Sequence, residues 1–386
     1  MTIRTLVLSG GGGRGAFHAG VYQYLMEANK QGVDADHEGA WEPDIVVGTS
    51  IGAVNGAAIV NGMSAEELVS TWRGLRSTDV QGLPPGMSRV TKRVMNGVMR
   101  KAAGMKLNQT TQNNAFSPVD DDTWNPAPFL PNWLSRMFLG KWGNLLDTGP
   151  LYHTLSTKLG INADALSASD KTLLISTTNV TTGEGVIFSN KPAIDPSTNQ
   201  AFKHIRYPIT VRRIVASCSI PMVYPWTKDG DDFYWDGAVV ENTPLGPAFD
   251  VVRDKPIEEP MEIVIVMMTP WVEKGQGAQA SRGELPRDFS EAILQTLDWA
   301  LLASFRAELK KTQLYRKLAE MDMEAGKPPR YRYAQDVIVA PEKFMPVTRI
   351  ISYDEGLGDL IDQGYEAAKK AFQTKFTGDN TPSIYG

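Results

Sequence analysis

The chain has 386 residues, of which 42% are apolar and 22% charged, the balance of a globular protein with room for one large domain or two smaller ones. A formal net charge of −5 argues against general nucleic-acid binding, which needs a broad basic surface. A single cysteine, Cys218, excludes an intramolecular disulfide and a cysteine-based zinc site.

Residues 4–76 alternate strand and helix. Residues 5–8 read as a strand and 16–29 as a helix with Val21, Tyr24, Leu25 and Ala28 on one face. A second strand at 44–47 leads into a helix at 51–60, and Ser64 with Glu67 forms a capping box for the next helix. Two strand–glycine turn–helix units in succession predict an α/β layer fold with a largely parallel sheet. Between about 77 and 148 the composition changes, with prolines such as Pro84, Pro118 and Pro131 interleaved with Trp124, Phe129, Trp133 and Trp142. A solvated linker would not carry so many aromatics, so this stretch reads as an inserted cap. The α/β pattern then resumes: a hairpin at 173–177 and 185–188, a helix at 210–217, and a short strand at 233–235. Core strands follow at 262–268 and 337–339, with a long helical pattern at 287–324 and a closing helix at 357–372. The expected organisation is a single domain over 1–376 and a loose polar tail at 377–386.

Two glycine-rich turns carry the chemistry. Ser9-Gly10-Gly11-Gly12-Gly13-Arg14-Gly15 lies between the first strand and the first helix, where main-chain N–H groups can cradle a negative charge. Gly48-Thr49-Ser50-Ile51-Gly52 follows the second strand and opens a helix of small residues, the setting of a nucleophile elbow. Ser50 would stand above the sheet near a helix N-terminus, which favours developing negative charge. Gly48 and Gly52 leave out side chains that would clash in so tight a crossing. Gly10 to Gly15 also fits the G-x-G-x-x-G dinucleotide pattern, with Asp34, Asp36 and Glu38 some way on. Those acids sit in a polar stretch with no second apolar strand to present them to a ribose. A serine elbow directly after the next strand has no part in cofactor binding.

The base for Ser50 is not a histidine of the usual hydrolase order. The histidines are His18, His37, His153 and His204, and none follows residue 204, where that order would place one. Asp236 in Tyr234-Trp235-Asp236-Gly237-Ala238 is the better candidate, a carboxylate at the end of an aromatic strand. Asp236-Gly237 as a plain turn is the alternative. A free Asp has a pKa of ~3.9, low for a general base at neutral pH, so the pair needs partial burial or a concerted proton transfer.

The ordered set Gly10 to Gly15, Gly48 to Gly52 and Asp236-Gly237-Ala238 resembles the patatin-like phospholipases. Asp147-Thr148-Gly149-Pro150-Leu151, Ala216-Ser217-Cys218-Ser219-Ile220-Pro221 and Asn242-Thr243-Pro244 extend the likeness over about 4–76 and 145–270. The resemblance implies a three-layer α/β/α fold with a central, mostly parallel sheet and an inserted cap. It implies hydrolysis of fatty-acyl esters of phospholipids or other lipids through a Ser50–Asp236 dyad and an acyl-enzyme. Gly11, Gly12 and Gly13, with the N–H of Arg14, would form the oxyanion hole; no metal or cofactor is implied.

Residues 87–106 lie in the stretch that the resemblance does not explain. They carry Arg89, Lys92, Arg93, Arg100, Lys101 and Lys106 with no acid, and a helix would place Met87, Val90, Val94 and Val98 on a separate face. That pattern fits either peripheral contact with an anionic membrane or a cap helix with a solvated basic face. Transfer of the acyl group to an alcohol or lysolipid, nucleotide binding and silent lipid binding remain competing functions. The first residues carry no secretory signal and no apolar run nears the roughly 18–20 residues that span a bilayer. The expected location is therefore cytoplasmic, with room for peripheral membrane contact.

Overall fold

Strands buried on both faces read as nearly continuous apolar runs rather than as alternating ones, and three segments here come close to that description: β1 (Ile3–Leu8), β2 (Ile45–Thr49) and the later Met261–Val266. The computed structural model describes residues 2–28, 41–84, 144, 146–270, 285–286 and 289–376. The further strands of the main sheet are β3 (Thr172–Asn179), β4 (Gly185–Ser189), β5 (Ile205–Arg206), β6 (Thr227–Asp229), β7 (Asp232–Asp236), β8 (Met261–Val266) and β9 (Ala334–Val339). They run in the order β9-β8-β1-β2-β3-β4-β5, and the β6–β7 hairpin joins through β7 to β3. From β9 to β3 every pairing is parallel; β4 and β7 both run antiparallel to β3.

Alternate residues of the central strands feed two cores. Leu6, Leu8, Val46, Leu173, Val264 and Val266 face one side. There they meet α1 (Ala16–Ala28), α2 (Ile51–Val60), α3 (Ala65–Gly74) and, further along the chain, Gly149–Thr157 and Leu357–Phe376. Val7, Ile45, Val47, Leu174, Ile263 and Ile265 face the other side, against Ala248, Phe305 and Leu309 of the helices Gly246–Asp250 and Phe289–Glu324. The result is the three-layer α/β/α arrangement that the family resemblance implies, with the largely parallel sheet that the strand–turn–helix alternation predicts.

Local signals place most element ends within a residue or two. Ser64 and Glu67 exchange both capping-box bonds, at 3.2 Å and 2.9 Å. The helix expected at 210–217 is Val211–Ser217, with Thr210 as its N-cap, its side chain accepting from Arg213 N–H. Strand β6 had no expected counterpart; it is short and polar, and forms only because β7 pairs with it. Gly82 and Asp147 exchange main-chain hydrogen bonds of 2.9 Å, which sets the two flanks of the aromatic-rich region side by side. The basic segment 87–106 and the tail 377–386 lie outside the described residues. Among the described residues no helix is long and apolar enough to cross a membrane.

Candidate active site

Strand β2 ends at Thr49, and Ser50 takes φ 56° and ψ −125°, a left-handed conformation that ordinary side chains avoid. Its carbonyl at once accepts from Ala53 and Val54 at 2.9 Å and 3.3 Å, so the chain passes from strand to helix in a single residue. Such a reversal brings backbones together. A Cβ on Gly48 would lie 2.4 Å from the Gly52 carbonyl oxygen, and one on Gly52 would lie 2.0 Å from that of Leu8. The two glycines of the motif are therefore required by close approach. Every residue of α2 is buried, which accounts for its small side chains.

Strand β3 acts as the ruler that brings Asp236 to Ser50. On one edge of β3, Ser176 pairs with Thr49 of β2, and the next residue, Thr177, pairs with Asp236 of β7. Where β2 leaves the sheet, β7 takes the following slot. Asp236 thus ends a strand beside the residue that turns into the elbow. Gly237 sits directly on Ser176, whose carbonyl oxygen would be 2.4 Å from an added Cβ.

Only 2% of Asp236 is exposed. Its Oδ1 accepts the Ala238 N–H at 2.9 Å, while Oδ2 is buried with no hydrogen-bond partner among the described residues. Burial pushes its pKa up to about 7; the nearby Ser50 hydroxyl and the Ala238 N–H act the other way by favouring the carboxylate. The sequence predicts partial burial against the aromatics next to Asp236 in the chain. The burial is nearly complete, and Tyr224 and Tyr353 are close enough that the Asp236 charge opposes their ionisation.

The glycine cradle abuts the serine: a Cβ on Gly10 would lie 3.1 Å from Ser50 Cβ. Gly10 N–H donates to Asn242 Oδ1 at 2.8 Å. Gly12–Gly15 then form one 3₁₀ turn. Gly12 has φ +59°, and its missing side chain would run into the Ile350 carbonyl oxygen at 1.8 Å; that of Gly13 would meet the Ser352 carbonyl oxygen at 2.0 Å. Among the described residues the N–H groups of Gly11, Gly12 and Gly13 have no acceptor. The N–H of Arg14 differs, since it donates to Gly11 O at 3.3 Å. The Arg14 side chain is buried and its Nε donates to the same carbonyl at 3.2 Å, which braces the turn from within.

No described histidine faces the pair. His18 is wholly buried, its pKa lowered by burial to about 3, and its Nδ1 lies 3.1 Å from Asn55 Nδ2. His153 is exposed and His204 pairs with Asp250 at 2.9 Å; His37 lies outside the described residues. Ser50 instead lines a small, partly open pocket with a free volume of about 10 Å³, whose other walls include Ile51, Val80, Leu151, Cys218, Ile220 and Tyr353. Among the described residues no group of acids, histidines or cysteine is placed to hold a metal ion.

Three parts of the site carry no signal that assigns them a role from sequence. Ser217 bonds the Ser50 N–H, Asn242 holds the cradle, and the segment around Ile350 backs it. Ser217 and Asn242 lie in stretches that resemble the family, but what they do is visible only in three dimensions.

A family model described as patatin-like phospholipase matches residues 6–249. Among solved structures the chain is similar to VipD from Legionella pneumophila, at 13% identity and a TM-score of 0.41 over 97% of this chain and 67% of that one. It is also similar to a chain of the ExoU–SpcU complex from the type III secretion system of Pseudomonas aeruginosa. That likeness is 13% identity and a TM-score of 0.33, over 96% of this chain and 52% of that one. No curated protein matches.

Proposed function

Because the chain belongs to the patatin-like phospholipase family, and so to the lipid hydrolases, we propose that it cleaves fatty-acyl esters of phospholipids or related lipids through a Ser50–Asp236 dyad. Ser50 Oγ attacks the ester carbonyl while Asp236 Oδ2 takes its proton, and the alcohol or lysolipid leaves with a proton returned by Asp236. Water then enters, gives its proton to Asp236 and attacks the acyl-enzyme; Asp236 returns that proton to Ser50 Oγ as the acyl–oxygen bond breaks and the fatty acid is released. The oxyanion of each tetrahedral intermediate is held by the N–H groups of Gly11, Gly12 and Gly13, with little from Arg14, whose N–H is already engaged.

The observation that carries this reading is the placement of one buried, half-satisfied carboxyl beside a serine in a strained elbow. A pKa near 7 leaves much of Asp236 ionised at neutral pH and makes it a far better proton acceptor than a free aspartate. The apolar side chains beside Ser50, among them Ile51, Val80, Leu151 and Ile220, suit contact with an acyl chain, whose burial contributes about 0.8 kcal/mol per methylene. Labelling of the intact protein with a fluorophosphonate, read by mass spectrometry, tests the assignment. Label on Ser50, lost in Ser50→Ala and strongly slowed in Asp236→Asn, is the expected result; label elsewhere or none overturns it.

A further inference from the structure

On the reading of Ser50 and Asp236 as a dyad, we propose that Ser217 is a positioning residue, whose hydroxyl sets the spacing between the Ser50 elbow and the strand that registers Asp236.

The helix Val211–Ser217 ends on this serine, which is completely buried. A hydroxyl has one donor and two acceptor positions. Here it accepts the Ser50 N–H at 2.9 Å and donates to the Ser176 carbonyl oxygen at 2.7 Å. The last parallel rung between β2 and β3 pairs Thr49 with Ser176. The hydroxyl therefore stands where the ladder would continue, relaying Ser50 N–H to the β3 carbonyl through one inserted oxygen. Two strands that would otherwise stay in direct contact are held one hydroxyl apart at this point.

That spacing matters for what comes next. One residue beyond Ser176, Thr177 pairs with Asp236, and Gly237 rests on Ser176 itself. The carbonyl that Ser217 grips thus belongs to the residue on which the aspartate turn is seated. The same hydroxyl also stabilises a strained elbow conformation that persists only when its surroundings over-determine it. Without the hydroxyl, Ser50 N–H and Ser176 O are both left buried and unpaired, a state that drives them toward a direct bond. Closure of that gap would carry Ser50 toward the slot that Asp236 occupies.

Ser217 itself does not line the pocket, although its neighbour Cys218 does, so the expected defect lies mainly in kcat and not in KM. A displacement near 1 Å costs up to about 100-fold in rate. The test uses the full chain with p-nitrophenyl butyrate and a fluorophosphonate, comparing wild type, Ser50→Ala, Ser217→Ala and Ser217→Cys below their melting temperatures. Ser217→Cys keeps the side-chain connectivity, in a slightly larger group, while weakening both donor and acceptor, and it carries the test alone where Ser217→Ala does not fold. We expect kcat and the labelling rate per folded molecule to fall roughly 10- to 100-fold, with KM within about 3-fold. A loss below ~5-fold in a folded variant, a loss confined to KM, or failure of both variants to fold overturns the proposal. Absence of label on Ser50 in the wild type overturns the dyad instead, so the two failures are distinguishable.

Discussion

Asn242 reaches across 232 residues of sequence to accept the Gly10 N–H at 2.8 Å, so the segment that follows Asp236 also sets the position of the glycine cradle. Removing that acceptor leaves a buried N–H unpaired, at about 1–3 kcal/mol. Asn242→Ala is expected to lower ester hydrolysis by roughly 10-fold or more while the protein still melts cooperatively. Steady-state kinetics beside a thermal melt checks this, and unchanged kcat with a lowered melting temperature would assign Asn242 to stability alone.

Ser50, the proposed nucleophile, also stores strain. Ser50→Gly relieves the positive φ and is expected to be inactive yet more stable, by a net ~1 kcal/mol after the added freedom of glycine in the unfolded chain. Ser50→Ala should be inactive without that gain. Denaturant melts of the two variants measure the difference.

The buried Asp236 makes both rate and stability depend on pH. As the proposed base it would work ionised, so kcat is expected to rise with pH along an acid limb whose midpoint lies near 7. Stability moves the other way. Between about 4 and 7 the folded protein keeps a proton on Asp236 that the unfolded chain has lost, so the contribution of this group falls as pH rises and is flat above that window. Asp236→Asn should therefore lose activity but gain stability over wild type, with the gap widening from pH 4 to pH 7. Paired melts across that range would refute the burial of a titrating carboxyl if the gap stayed constant.

Gly12 tolerates no side chain, for reasons of both φ and space. Gly12→Ala is expected to cost ~3 kcal/mol or more and to abolish hydrolysis, because Ile350 O occupies the place of the new methyl group. Loss of activity without a fall in melting temperature would show that the cradle and the Ile350 segment can part freely.

The basic stretch 87–106 yields a prediction from sequence alone. Replacement of Arg89, Arg93 and Arg100 by Gln should weaken sedimentation with anionic vesicles, and high salt should imitate the change by screening. Turnover of a short soluble ester should survive. Equal vesicle binding by variant and wild type would remove the membrane role.

The parts of the site that were legible in sequence are those built from neighbouring residues. Gly48, Ser50 and Gly52 announce a tight strand-to-helix reversal, and the run from Gly10 to Gly15 announces exposed main-chain donors, because glycine is the visible cost of close backbone approach. Asp236 was recognisable as a carboxylate at a strand end. What brings it to Ser50 was not: that depends on Ser176 and Thr177 lying in consecutive slots of β3, a matter of long-range register. Nor did the sequence show that its burial is nearly complete, or that Tyr353, from a distant segment, lies near enough to feel its charge. Backbone carbonyls such as that of Ile350 leave no mark in a side-chain pattern at all.

That last contact bears on how little of the chain could work by itself. The family match ends at 249, yet the wall behind Gly12 and Gly13 is supplied by Ile350 and Ser352. The partner of β1 along all six of its residues is likewise β8, also downstream. A fragment trimmed to the matched region would keep the serine, the aspartate and every motif glycine, and still present an unsupported cradle on a raw sheet edge. For the same reason, a protease that nicks the chain ahead of Ile350 and releases the piece beyond is expected to silence hydrolysis without touching either residue of the proposed dyad.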